Sequence, residues 1–295
     1  LKLFINTLIA LAFFVSVSAN AAVKIVTSTS DLAYFATVIG GDLVEVASIA
    51  APTADLHYVE VRPSYMVKMR DADIVFKIGL ELDTWIDKII DGSRNSKLKK
   101  IDCSMYITPV EVPTFHADAS HGDLHRFGNP HYWLSPANVE PITHAILDGL
   151  SSVDPANSGV FAQNRDKFLK NLNSELPAIK ALAAPLAGIE IVTYHNSWPY
   201  FADYFEIKLA GFIEKFSGVA PSPSHMGDMI ELVKKQQIKI IAIEPYFEKR
   251  VPQRIAESSG AKVVVLYPSI GGRDKDESYI DWLRGNINAL LEEIR

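Results

Sequence analysis

A chain of 295 residues, 48% of them apolar, has material for two domains of ordinary size, each with its own core, which excludes disorder as its general state. A formal charge of −6 gives nucleic acid no electrostatic hold. The single cysteine, Cys103, cannot close an internal disulfide and is too far along the chain to be a lipidated N-terminal residue.

In chain order, the stretch Leu1 to Ala22 comes first. It has Lys2 near its start, an apolar run from Leu8 to Val17, and the small residues Ser18-Ala19-Asn20-Ala21. That is the pattern of an export signal cut after Ala21. A membrane anchor is the rival reading, but the run is shorter than the roughly 20 residues a spanning helix needs. Without residues 1–21 the chain carries 28 basic and 35 acidic residues, a formal charge of −7. The expected product is free in the periplasm, with neither bridge nor lipid.

From Val23 to about Val153, β-branched apolar runs alternate with helical patterns. Strands are predicted near Lys24–Thr29, Leu43–Ile49, Asp73–Ile78 and Lys97–Asp102, and helices over Leu32–Ile39, Arg62–Ala72 and Leu82–Asp91. This alternation implies a parallel sheet. After Asp154-Pro155, apolar positions from Phe161 through Leu182 follow helical spacing to Leu186, which predicts one long helix with Pro177 as a point of kinking. Beyond Gly188 the alternation resumes, with strands at Ile189–Tyr194, Leu209–Glu214, Ile238–Ile243 and Ala261–Tyr267. Helices over Trp198–Phe205, His225–Gln237, Val251–Ser258 and Ser278–Glu293 would cover them. The expected organisation is a signal peptide over 1–21, an N-terminal α/β lobe over 22–153, a linker helix over 154–187 and a C-terminal α/β lobe over 188–295.

Ligands of open parallel sheets sit outside the carboxyl ends of the strands, where the departing loops converge. The predicted strand Ile189–Tyr194 runs directly into His195, and Ile238–Ile243 into Glu244. In the first half, His57 and His131 lie on strand-to-helix connections. Pro130 fixes the backbone before His131, for which burial against Tyr132 and Trp133 is the plainer alternative. Two residues from each lobe would thus face one another across a cleft. Three neutral imidazoles and a carboxylate suit Zn²⁺ and favour it over Mn²⁺; Ca²⁺ or Mg²⁺ would call for more oxygens.

Several segments together resemble the periplasmic solute-binding proteins that serve zinc and manganese ABC transporters. They are Asp55-Leu56-His57-Tyr58-Val59-Glu60-Val61-Arg62-Pro63-Ser64, Ala72-Asp73-Ile74-Val75-Phe76 with Gly79 and Trp85, Gly128 to Pro136, and Tyr194-His195-Asn196. The resemblance implies two α/β lobes on a rigid long helix, a metal held between them with little closure, and delivery to a membrane permease by a monomer. It places His57, His131 and His195 on the family's three imidazole positions. Manganese members usually have Glu where this chain has His195, so the zinc branch is the nearer one.

The family commonly takes an Asp from the loop after the last strand, but here that loop reads Leu266-Tyr267-Pro268-Ser269-Ile270-Gly271. Glu244 either completes the tetrahedron or orients an imidazole or a bound water. Asp274, Asp276 and Glu277 are read as a solvated helix start. His116, His121 and His125, with Asp118 and Asp123, form either a weak second metal trap or a solvated loop with incidental histidines. His144 and His225 are read as structural. Two other functions compete. One is a zinc-dependent hydrolase, against which stands the absence of His-Glu-x-x-His and Gly-x-Ser-x-Gly. The other is a carrier of a metal chelate, for which Trp133, Trp198 and Tyr200 would have to line a wide cleft.

Overall fold

The computed structural model describes residues 21–113, 125–214 and 218–294; the expected signal through Asn20, together with His116, Asp118, His121 and Asp123, lies outside them. The first lobe runs β1 (Val23–Thr27), α1 (Ser30–Gly40), β2 (Val44–Ser48), α2 (Pro63–Arg70), β3 (Ile74–Lys77), α3 (Trp85–Ser93), β4 (Lys99–Asp102) and α4 (Val139–Val153). The long helix α5 (Ser158–Ala183) follows. The second lobe runs β5 (Glu190–Thr193), α6 (Pro199–Tyr204), β6 (Lys208–Phe212), α7 (Pro223–Lys235), β7 (Ile240–Ile243), α8 (Arg250–Ser259), β8 (Lys262–Val265) and α9 (Tyr279–Glu292).

Each lobe holds a four-stranded, wholly parallel sheet, in the orders β2-β1-β3-β4 and β6-β5-β7-β8. The two orders are the same permutation. Strands buried on both faces tolerate only apolar side chains, and β7, Ile240 to Ile243, is buried at every position, as are Ile74, Val75 and Phe76 of β3. The edge strand β2 is half-exposed throughout and contains Glu45. In each sheet the chain steps from the first strand outward on one side and then crosses to the other. The crevice therefore opens outside the carboxyl ends of β1 and β3 in one lobe, and of β5 and β7 in the other.

Helix α5 has 26 residues, about 39 Å at ~1.5 Å per residue, with short 3-10 turns at Pro155–Asn157 and Ala184–Leu186 taking up the rest of the predicted span. Its buried side chains are Phe161, Phe168, Leu172, Ile179 and Ala183. It packs on α1 and α4 of the first lobe and on α9 of the second, which makes it a spine common to both. Phe35 of α1 meets both Phe168 of this helix and Tyr279 of α9, with ring centroids 5.9 and 5.6 Å apart.

Hydrogen bonds tie the lobes directly. Ser30 Oγ donates to Ile270 O (2.9 Å), Ile270 N–H to Asp31 Oδ1 (2.9 Å) and Trp133 Nε1 to Pro268 O (2.8 Å). Nearer the cleft, Tyr200 Oη donates to Asn129 O (2.7 Å) and accepts from Val110 N (3.1 Å), while Asn196 Nδ2 donates to Glu111 (2.9 Å). The loop after β8 is thus held by the opposite lobe. Glu277 corrects the sequence reading. Asp274 and Asp276 are exposed as expected, but the Glu277 side chain is only 5% accessible and accepts from Gly271 N at 2.9 Å, stapling that loop instead of marking a solvated helix start. Cys103, directly after β4, is fully buried, and burial pushes its thiol well above the ordinary range.

Candidate metal centre

His57, His131 and His195 each bring one ring nitrogen to a common point, all three atoms lying within 4.8 Å of one another. No other such group of His, Cys, Asp or Glu occurs among the described residues. Ring centroids are 5.3 Å apart for His57 and His131, 4.9 Å for His57 and His195, and 5.4 Å for His131 and His195. Two of the rings come from the first lobe and one from the second.

Local chemistry explains how the first two are presented. Asp55 Oδ1 accepts from the backbone N–H of His57 (2.9 Å) and lies 3.0 Å from its Nδ1. Asn129 Oδ1 makes the same pair of contacts with His131, both at 3.0 Å. A side-chain oxygen that bonds the backbone two residues on forms an Asx turn, and here the turn also fixes the ring that follows it. His195 is held differently. It leaves the end of β5, and its Nδ1 lies 2.9 Å from Glu214 Oε2, 19 residues later, just beyond β6. The backbone N–H of Glu214 donates to Tyr194 O (2.7 Å), extending the β5–β6 pairing to the site.

These three oxygens decide the tautomers. Carboxylates accept only, and the Asn129 amide is oriented by its nitrogen, which donates to Glu111 (3.0 Å) and to Asn196 O (2.9 Å). Each Nδ1 therefore carries the proton and each Nε2 carries the lone pair, the arrangement of a histidine ready to ligate a metal. The Nε2 of His57 is buried without a hydrogen-bond partner. Burial first, and then the neighbouring His57, His195 and His125, hold His131 well below the ordinary imidazole range, so it stays neutral. At Asp55, burial raises the carboxyl, but the hydrogen bond and charge of His57 outweigh it and keep the group below the usual range.

Glu244 follows β7 directly, as expected, and is fully buried, but it is not in the three-nitrogen group. Its Oε1 accepts from Trp198 Nε1 (3.0 Å), and its Oε2 has no hydrogen-bond partner. Burial pushes it up to about 7, against the attraction of His195 and the bond from Trp198. For His125, left open between a weak second metal trap and a solvated loop, the ring stacks on His57 at 5.6 Å and 22° and lies 6.5 Å from His131. Arg126, its neighbour, pairs with Glu81 of the β3–α3 connection. The supporting residues Asp55, Asn129 and Glu214 were not identified from sequence. An acceptor two residues before each first-lobe histidine was the available signal for two of them; no local signal exists for Glu214.

The histidines read as structural are elsewhere. His144 is half-exposed beside Tyr106 and Asp148, and His225 opens α7 with its Nε2 3.2 Å from Phe212 O. Trp133 and Trp198 are 1% exposed and Tyr200 is 5% exposed. Their polar atoms are all committed to hydrogen bonds, so none lines a wide cleft. No helix among the described residues is long and apolar enough to cross a membrane.

Comparison with known proteins places the chain in a family. The zinc-binding lipoprotein AdcA of Streptococcus pneumoniae is 26% identical over 93% of this chain, which spans only 56% of that relative. The high-affinity zinc uptake system protein ZnuA of Yersinia pestis is 24% identical, covering 92% of this chain and 91% of its own length. Other matching relatives are named for manganese and for iron. A crystal structure of ZnuA superposes with a TM-score of 0.77 at 26% identity, over 92% of this chain and 98% of that one. The family model described as "Zinc-uptake complex component A periplasmic" matches residues 25–293, and the chain belongs to that ZnuA family of metal-binding, ABC-transporter substrate-binding proteins.

Proposed function

We propose that this protein is an exported, periplasmic carrier that captures one Zn²⁺ between its lobes and yields it to an ABC permease, without catalysing a reaction. His57, His131 and His195 are the nitrogen donors, each through Nε2. The observation that carries the reading is the meeting of these three rings within 4.8 Å, each with its Nδ1 engaged by a dedicated acceptor. Three neutral imidazoles favour Zn²⁺ over Mn²⁺, which prefers oxygen. Glu244 stands outside the nitrogen group, with its Oε1 committed to Trp198 and burial disfavouring its charged form, which leaves the fourth position to water.

Capture is driven by exchange of the ion's bound water for imidazole nitrogen at a site already built. The cross-lobe hydrogen bonds and α5 hold the two donor sets at fixed separation, so little of the binding energy is lost in ordering. Elemental analysis of protein purified without chelators, joined to calorimetric titration with Zn²⁺ and Mn²⁺, tests the reading. One bound Zn²⁺ per chain and a clear preference over Mn²⁺ are expected. Preference for Mn²⁺ would overturn the choice of metal, and zinc-dependent turnover of ester, phosphate or peptide substrates would favour the hydrolase.

A further inference from the structure

The three Nδ1 acceptors differ in charge: Asp55 behind His57 and Glu214 behind His195 are carboxylates, while Asn129 behind His131 is a neutral amide. The amide is required where it stands. Its nitrogen donates to Glu111 and to Asn196 O, and a carboxylate there would confront Glu111. The pocket thus has two anions in its outer ring by construction. Glu214 is 4% exposed and its other oxygen accepts from Gly218 N; the Asp55 side chain is 22% exposed.

We propose that Asp55 and Glu214 select the charge of the cargo. Their two negative charges are cancelled by a divalent ion but only half cancelled by a monovalent one, so the site favours divalent ions over Ag⁺-like monocations more strongly than imidazole nitrogens alone would. This rests on the metal-carrier reading above and adds to it a specificity that the three rings alone do not have. Imidazole is neutral and binds soft monocations as well as Zn²⁺; fixed charge adds a preference that scales with the ion's valence. The attraction between a fixed anion and an ion is proportional to the ion's charge. Removing an outer carboxylate therefore costs a dication twice as much, in the logarithm of affinity, as it costs a monocation.

The cleanest variant is Asp55→Asn. Asp55 uses a single oxygen for both of its contacts with His57, and Asn129 makes the same two contacts with His131 as an amide. The substitution thus keeps the geometry and removes the charge. Loss of an outer partner typically weakens metal binding about 10–100-fold, so Zn²⁺ affinity should fall by that order and Ag⁺ affinity by its square root, about 3–10-fold. Glu214→Gln should shift the ratio further because its site is drier and less screened, although it also gives up one acceptor.

The experiment is competition calorimetry on the full chain with Zn²⁺ and with Ag⁺ in chloride-free buffer, thermal melts of the metal-free variants confirming that they fold. A Zn²⁺-to-Ag⁺ ratio that drops about 3–10-fold in Asp55→Asn supports the proposal. Equal losses for both ions would mean that Asp55 only positions the ring, and no loss for either would remove it from the site; both outcomes overturn charge selection. Failure of the wild-type chain to bind Zn²⁺ through His131 is a separate result, and would overturn the carrier reading itself.

Discussion

The two lobes share one strand permutation yet present their histidines by opposite means. In the first lobe an Asx turn does the work twice, over Asp55-Leu56-His57 and Asn129-Pro130-His131, and the oxygen that aims each ring lies two residues before it. In the second, His195 depends on Glu214, which reaches it only because β6 pairs with β5, through a register shift between Ile191 and Val192. A local device survives changes in the rest of the fold. A long-range one exists only when the sheet is correctly assembled.

Removing a donor is the harshest test. His131→Ala should lower Zn²⁺ affinity by at least about 100-fold by calorimetry, since one of three nitrogens is lost. Unchanged binding would falsify the assignment of His131.

Breaking a first-lobe turn comes next. Asn129→Ala removes the acceptor at His131 Nδ1 and leaves Glu111 without one of its donors. Zn²⁺ affinity should fall about 10–100-fold, with about 1–3 kcal/mol lost in chemical denaturation. If stability drops while affinity holds, the turn serves the lobe contact alone and the contrast between the lobes weakens.

Asp31 probes the contact that lets the lobes act together. Burial pushes its carboxyl from 3.8 up to about 7, so between those limits the folded chain keeps a proton that the unfolded chain has released. Stability from this group is therefore greatest below about pH 4 and is lost as pH rises through 7. Asp31→Asn has no such dependence. It should match the parent near pH 4 and exceed it by on the order of 1–3 kcal/mol at pH 8 in urea denaturation. Parallel stability curves for the two proteins would show that Asp31 is ionised in the fold.

The smallest effect is expected far from the cleft. His144→Ala, on an exposed face of α4, should change neither Zn²⁺ affinity nor stability by more than about 0.5 kcal/mol. A larger effect on affinity would mean that a second ion-binding locus operates on that face.

Much of the fold was legible because buried parallel strands must be unbroken apolar runs. Runs such as Ile240 to Ile243 have no other reading, and most predicted strands differ from the observed ones only by a residue or two at each end. The same rule led to His195, because a polar residue that ends such a run stands at the rim of the sheet. Glu214 ended a predicted strand as well, but its relation to His195 depends on which strands are neighbours, and strand order is not a property of either segment. Glu277 was misread for a related reason. Its acidity near a helix start suited solvent, and only the folded path of Gly271 to Arg273 turns it inward. His125 was left open between trap and loop because its ring position depends on the Arg126–Glu81 pair, 45 residues apart.

Cys103 has a practical consequence. As the only thiol in the chain, sealed beneath α4 at the end of the first sheet, it is a built-in gauge of that lobe's integrity. An alkylating reagent can reach it only when the lobe opens, so labelling rates with and without the ion would measure how strongly cargo holds the first lobe shut.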